Sequence, residues 1–255
     1  MLLALDIGNT NITIGVFDGD KLNLRARMAT DTTKTGDQYA IELMNLFGLY
    51  HIELKDFTGA ILSSVVPQIE RPIRAAVQTL TGLTPLMVGP GIKTGINIAI
   101  DNPAQLGADL LVGAVAGVHA CGAPCIVWDL GTATTVAVVD QNGSIIGGAI
   151  MAGLRTSIDS LINNASLLPR FRLEAPAHTI GKNTIECLQS GAIFGTATMI
   201  DGMCERIEAE LGYPAPTVVT GGLSREVAQH CKREVRYDDD LLLNGLRLIY
   251  EKNKK

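Results

Sequence analysis

Asp6, Asp109 and Asp129 each sit where an apolar run meets a turn of small residues. In Asp6-Ile7-Gly8-Asn9-Thr10-Asn11 the apolar run delivers a carboxylate to a turn in which Gly8 exposes backbone N–H groups. Asn9, Thr10 and Asn11 add side-chain donors. Such a turn can cradle a phosphate while the carboxylate holds a magnesium ion or its water. An ordinary Asn-Gly hairpin has the same composition. Asp129-Leu130-Gly131-Thr132-Ala133-Thr134-Thr135 repeats the design with hydroxyls. Two facing hairpins of this kind would clamp a nucleoside triphosphate from both sides. A third turn, Thr220-Gly221-Gly222, follows a short apolar strand, and backbone without side chains lets adenine or ribose lie close. In Gly107-Ala108-Asp109 a lone carboxylate opens the apolar stretch LLVGAVAGV. It reads either as a partner of the helix dipole or as a catalytic group.

These residues need elements to hold them. Apolar alternation and turn residues predict strands over 2–7, 11–17 and 22–28, a helix over 37–49, and a strand over 59–66. Pro67 then opens a helix reaching about residue 80, a strand lies near 85–88, and a helix covers 106–120. The order begins again: strands over 125–130, 133–140 and 144–151, and helices near 154–165 and 183–211. A strand over 216–220, a helix over 223–231, a last strand and a helix over 239–252 follow. Placing Asp6 over Asp129, an offset of 123, also superposes Gly8 on Gly131. The expectation is a duplicated α/β fold with two β-β-β-α-β-α-β-α halves, about 1–118 and 119–255, with Asp6 and Asp129 facing one nucleotide cleft.

Composition narrows the class. The chain has 255 residues, 47% hydrophobic, with a net charge of −5 and scattered basic residues, so neither nucleic acid nor a membrane surface is an expected partner. Asp6 ends the first apolar run before a signal-peptide core forms, and no apolar run is long enough to span a bilayer. Five cysteines, an odd number, read as reduced thiols of a cytoplasmic protein. His119, Cys121 and Cys125 match no common zinc spacing, and Cys125 reads as a small hydrophobe leading into a strand. There is no G-x-x-x-x-G-K-[ST] loop and no G-x-G-x-x-G fingerprint, which excludes the P-loop and dinucleotide folds as readings.

The order DIGNTN, NPAQLGAD, DLGTATT, IGKNTIECLQSGAIFG, VVTGGLS resembles the type III pantothenate kinases from about residue 2 to 250. That resemblance implies the duplicated actin-like ATPase fold, which is ribonuclease H-like in each half and shared with sugar kinases and heat-shock ATPases. It implies transfer of the ATP γ-phosphate to pantothenate, the first step of coenzyme A biosynthesis, by a cytoplasmic homodimer. By motif, Asp6, Ile7, Gly8, Asn9, Thr10, Asn11, Ile12 and Thr13 would hold the phosphates, with Thr132 touching ATP and Gly221 and Gly222 beside the adenosine. Asp109 would be the general base, and Asp129 would bind a monovalent cation, potassium or ammonium, alongside the Mg2+ that accompanies ATP. Gly107 and Ala108 would line the substrate pocket, and Thr184 would reach substrate across the dimer.

Two positions depart from the family pattern. Leu110 stands where relatives carry Arg after the GAD aspartate, and Ile100 where they carry Tyr. Both positions help bind pantothenate in relatives, so a kinase of another small hydroxylated acid is the alternative. A non-catalytic transcriptional regulator on the same fold is a second one. The three retained carboxylates argue for catalysis.

Overall fold

The computed structural model describes residues 1–254. They divide into two compact units, each built on one mixed sheet. The first unit comprises Met1–Gly95, Asn102–Ala116 and the segment from Leu242 onward; the second comprises Ile96–Asp101 and Gly117–Leu241. The units therefore do not follow chain order strictly. The last helix counts with the first unit, and a short stretch before Asn102 counts with the second.

In the first unit β1 (Leu2–Ile7), β2 (Asn11–Asp18) and β3 (Lys21–Ala29) form an antiparallel meander. After α1 (Gly36–Leu49), β4 (Gly59–Ser64) returns parallel to β1. After α2 (Pro67–Thr81), the short β5 (Leu86–Met87) completes the order β3-β2-β1-β4-β5. Thr35 and Gln38 cap α1 reciprocally, and Pro67 opens α2 where its missing N–H costs nothing.

Strand alternation sorts the residues of this sheet. Leu3, Leu5 and Ile7 of β1, with Ile12, Ile14 and Val16 of β2 and Leu62 of β4, share one core with Tyr39, Leu43 and Phe47 of α1 and Ile69, Ile73 and Val77 of α2. The opposite face carries Gly15 and Gly59, and there α7 (Leu241–Asn253) lies close. A Cβ on Gly59 would fall 1.9 Å from the Tyr250 hydroxyl, and one on Gly15 would fall 3.0 Å from Leu243. Helices thus cover both faces, and β1 reads as a near-continuous apolar run. By the same alternation Asp6 and Ser63 belong to the α7 face.

In the second unit β7 (Cys125–Leu130), β8 (Ala133–Val139) and β9 (Ser144–Ala152) repeat the meander. β10 (Thr217–Thr220) and β11 (Val235–Tyr237) continue it in parallel, and β6 (Asn97–Ile98) adds an edge beside β9. The order β11-β10-β7-β8-β9 is the first unit's order over again.

The internal repeat is therefore present in the sheet topology, with one departure. Two helices, α4 (Leu154–Asn164) and α5 (Thr184–Leu211), stand between β9 and β10, where the first unit has α1 alone. α6 (Ser224–Ala228) is shorter than the helix expected over 223–231, because the chain leaves the helix before Cys231. β6 has only two residues and carries no periodicity to read from sequence. The second core gathers Ile126, Trp128 and Leu130 with Ile193, Ala197 and Ile200 of α5. The buried Trp128 indole donates to Cys204 Sγ at 3.3 Å.

Cys125 is fully buried in β7, and burial pushes its thiol up to about 12, so it packs as a small apolar group. Among the described residues no helix is long and apolar enough to cross a membrane.

Candidate active site

The first turn is built by register. Ile7 pairs with Ile12, leaving Gly8 to Asn11 as the loop, and Gly8 N–H donates to Asn11 O at 3.0 Å. Asp6 sits two residues before Gly8, opposite Thr13 of β2 and in register with Ser63 of β4. The Ser63 hydroxyl, fully buried, donates to Asp6 Oδ1.

α3 (Ala108–Cys121) starts close by, within the same unit. Gly107 O accepts from Leu111 N–H at 3.1 Å, and Asp109 Oδ1 accepts from Leu110 N–H at 2.8 Å. The Asp109 side chain folds back so far that a Cβ on Gly107 would lie 2.5 Å from Oδ1. Only glycine at 107 leaves that carboxylate where it is.

Burial pushes the Asp6 carboxyl up to about 6; the Ser63 hydroxyl pulls the other way, and the charge of Asp109 adds to the rise. Asp109 is thus near enough for its charge to act on Asp6. The structure brings this pair together, and the serine beneath it, across more than a hundred residues of sequence. A phosphate-type turn, a carboxylate at its root and a second carboxylate on a helix N-terminus make a site suited to phosphoryl transfer.

The second unit places its own set. Leu130 pairs with Thr134, and Gly131 N–H donates to Ala133 O at 3.1 Å, so Gly131, Thr132 and Ala133 form the turn. Asp129 is half-buried and in register with Thr220 of β10. Gly221 has φ +102°, a conformation that suits glycine, and a Cβ there would lie 2.6 Å from Asp129 Oδ1. The turn at Thr220-Gly221-Gly222 therefore presses backbone against the Asp129 carboxylate. Thr220 in register and the Gly221 backbone are its neighbours there. Ser224 Oγ and N–H both return to Gly221 O, at 2.5 and 3.2 Å, and fix the turn.

Thr184 is exposed at the first position of α5. The Asn183 side chain caps that helix by accepting from Glu186 N–H at 3.0 Å, and Glu186 in turn accepts from Lys182 N–H at 2.8 Å. Ser190 Oγ donates to Thr179 O at 2.5 Å. Much of the IGKNT-x5-SG segment thus shapes the entry to α5. Ile100 lies just past β6 in the second unit, while Leu110 is half-buried on α3 in the first. Sequence reading missed Ser63. It lies inside a predicted strand, and only the parallel register shows which carboxylate it meets.

The chain matches the family described as type III pantothenate kinase over residues 2–206. A type III pantothenate kinase of Exiguobacterium sp. is 42% identical over all of both chains. One of Myxococcus xanthus is 42% identical over 99% of each. Among solved structures, a Campylobacter jejuni protein described as a Baf family transcriptional activator aligns with TM-score 0.62 at 16% identity, over 98% of each chain. The Acidaminococcus fermentans (R)-2-hydroxyglutaryl-CoA dehydratase component A aligns with TM-score 0.58 at 14% identity, over 99% of each. The activator of 2-hydroxyisocaproyl-CoA dehydratase from Clostridium difficile, with bound ADPNP, gives 0.55 at 14% identity, over 98% of this chain and 95% of its own. These last three likenesses carry the fold, the duplicated actin-like ATPase architecture.

Proposed function

The chain belongs to the type III pantothenate kinase family, and from that premise we infer that it phosphorylates pantothenate with ATP, the first step of coenzyme A biosynthesis. The observation that carries the reading is local to the first unit. Asp109, opening α3, acts on Asp6 at the root of the Gly8–Asn11 turn.

ATP supplies the phosphoryl group, and the protein supplies position and charge. In our reading Asp6 to Thr13 hold the phosphates, and Asp6, ionised above about pH 6, holds the Mg2+ or its water. Asp109 orients the substrate hydroxyl and takes its proton. Its Oδ1 is occupied by the Leu110 N–H, so the proton goes to Oδ2. Thr132 touches ATP, and Gly221 and Gly222 leave room for the adenosine. Asp129 binds potassium or ammonium. Gly107, Ala108 and Leu110 bound the pantothenate site in the first unit, and Thr184 would reach substrate across the dimer.

We read the enzyme as a cytoplasmic homodimer without nucleic-acid or membrane partners. Exposed Ile180 and Ile185 flank Thr184 in the sequence, which accords with the homodimer reading.

The test is an ADP-release assay over a panel of small hydroxylated acids and sugars. Turnover of pantothenate above all others is expected. Preference for a different hydroxy acid would assign Leu110 and Ile100 to that substrate. No turnover with any of them would overturn the kinase reading.

A further inference from the structure

Each turn is gripped by the segment that follows the third strand of its own unit. Thr30, one residue past β3, donates its N–H to Thr10 O at 3.0 Å and its Oγ1 to Gly8 O at 2.6 Å. Gly153, one residue past β9, donates its N–H to Thr132 O at 3.2 Å. Thr156 Oγ1, from the first turn of α4, donates to the same oxygen at 2.8 Å. Thr10 and Thr132 are each the next-to-last residue of their turns, so the N–H grip is the same in both units. The hydroxyl differs in origin. Gly153 approaches so closely that a Cβ would lie 2.3 Å from both Gly131 O and Thr132 O, which leaves the hydroxyl to come from Thr156. In the first unit the gripping residue carries its own.

The hydroxyl of Thr30 does something a backbone bond cannot. The peptide joining Gly8 to Asn9 is a rigid trans plane, with its C=O and N–H pointing in opposite directions. Gly8 O is fixed on Thr30, so Asn9 N–H points away from Thr30. A flip of that peptide would turn a carbonyl oxygen, instead of a donor, toward a bound phosphate. Thr30 is itself anchored through its neighbour. The Oη of Tyr39, fully buried on α1, donates to Asp31 O at 2.7 Å and accepts from Asp31 N–H at 3.1 Å.

We propose that Thr30 is a positioning residue for ATP, whose hydroxyl locks the Gly8–Asn9 peptide with its N–H displayed to the phosphates. It touches no ligand. The inference rests on the reading of Gly8–Asn11 as the phosphate turn.

Thr30→Val keeps the shape and the backbone bond to Thr10 but removes Oγ1, and Thr30→Ser keeps the hydroxyl. ATP and pantothenate are varied separately, and melting temperature is recorded with and without ATP. The expected result is a KM for ATP raised on the order of tenfold in Thr30→Val, with KM for pantothenate unchanged and Thr30→Ser within about twofold of the parent. Tyr39→Phe, which loosens the anchor one step away, should raise the same KM by about threefold or less. The proposal is overturned if Thr30→Val lowers the melting temperature but leaves KM for ATP unmoved, or if both KM values rise together. It is overturned equally if Thr30→Ser is as impaired as Thr30→Val. A parent protein that neither turns over pantothenate nor gains thermal stability from ATP would instead sink the function proposed above, and this inference with it.

Discussion

The turn after β1 and the turn after β7 begin alike and end differently. Both follow a six-residue strand with the same burial pattern, five buried residues and one half-buried aspartate. The first loop then runs from Gly8 to Asn11, while the second runs only from Gly131 to Ala133. The offset is 123 up to the turn and 122 beyond it. The bulges, Val16/Phe17 in one hairpin and Val138/Val139 in the other, confirm the shorter count. One frame has been kept and the contents of its turn exchanged. Burial raises the proton affinity of Asp6; the serine below it works against that rise and the second carboxylate nearby adds to it. Asp129 has a threonine in register and glycine backbone pressed against it. The function proposed above assigns phosphate and proton chemistry to the first arrangement and a cation to the second.

Four substitutions and one internal control test that division, from the largest expected effect down. Asp109→Asn keeps shape and removes charge. It should cut kcat by about a hundred- to ten-thousand-fold while leaving ATP binding nearly intact, by the usual worth of a positioned base. Near-parent kcat with a lowered melting temperature would reduce Asp109 to a partner of the helix dipole.

Gly221→Ala should cost about 3 kcal/mol in chemical denaturation, because φ is +102° and the new Cβ would meet Asp129 Oδ1 at 2.6 Å and Leu130 N at 2.7 Å. Gly131→Ala is the internal control: its Cβ would come no nearer than 3.4 Å to Ala133 O, and the loss should be small. Equal losses would deny that Asp129 is held by backbone pressure at Gly221.

Asp6→Asn should stabilise the fold at neutral pH. The folded carboxyl binds its proton more tightly than the unfolded one, so its contribution is fully present below about pH 4 and is lost as pH rises toward 6. Removing the charge should therefore add about 3 kcal/mol at pH 7.5 and little at pH 4, read from denaturation curves at both. A constant difference between the two pH values would show that Asp6 is not the titrating group.

Asp129→Asn should abolish any gain in turnover from replacing sodium by potassium, an effect on the order of tenfold or less. A parent enzyme equally fast in potassium-free sodium buffer would remove the cation from the second turn.

Much of this was legible in the sequence because small residues are punctuation. Gly8, Gly131 and Gly221 mark the three turns, and the apolar runs before them fix which end of the strand carries the aspartate. Asp109 stands out because it is the only acidic residue between Asp101 and Asp129 and opens an otherwise apolar helix. The pairing of Asp6 with Ser63 was not legible, since a serine at the end of a strand has no periodicity to betray its partner. Nor was the role of Thr30, which acts through main-chain carbonyls that any residue type would offer. The two consecutive helices α4 and α5 were read as helices, but the repeat was drawn as if they did not break it. The edge strand β6 is too short to show alternation at all.

The close seat of α7 on Gly15 and Gly59 has a consequence for how the molecule is made. Arg247, almost fully buried in that helix, pairs with Asp20 of the β2–β3 turn at 2.6 Å and with Glu251 at 2.7 Å. Because α7 follows every strand of the sheet on which it sits, Gly15 and Gly59 receive this neighbour only after that helix has been made. A chain stopped before Leu241 should therefore be cut faster than the parent in a protease digest. The α7 helix closes a sheet begun with β1, so the first unit joins segments that lie far apart in the chain.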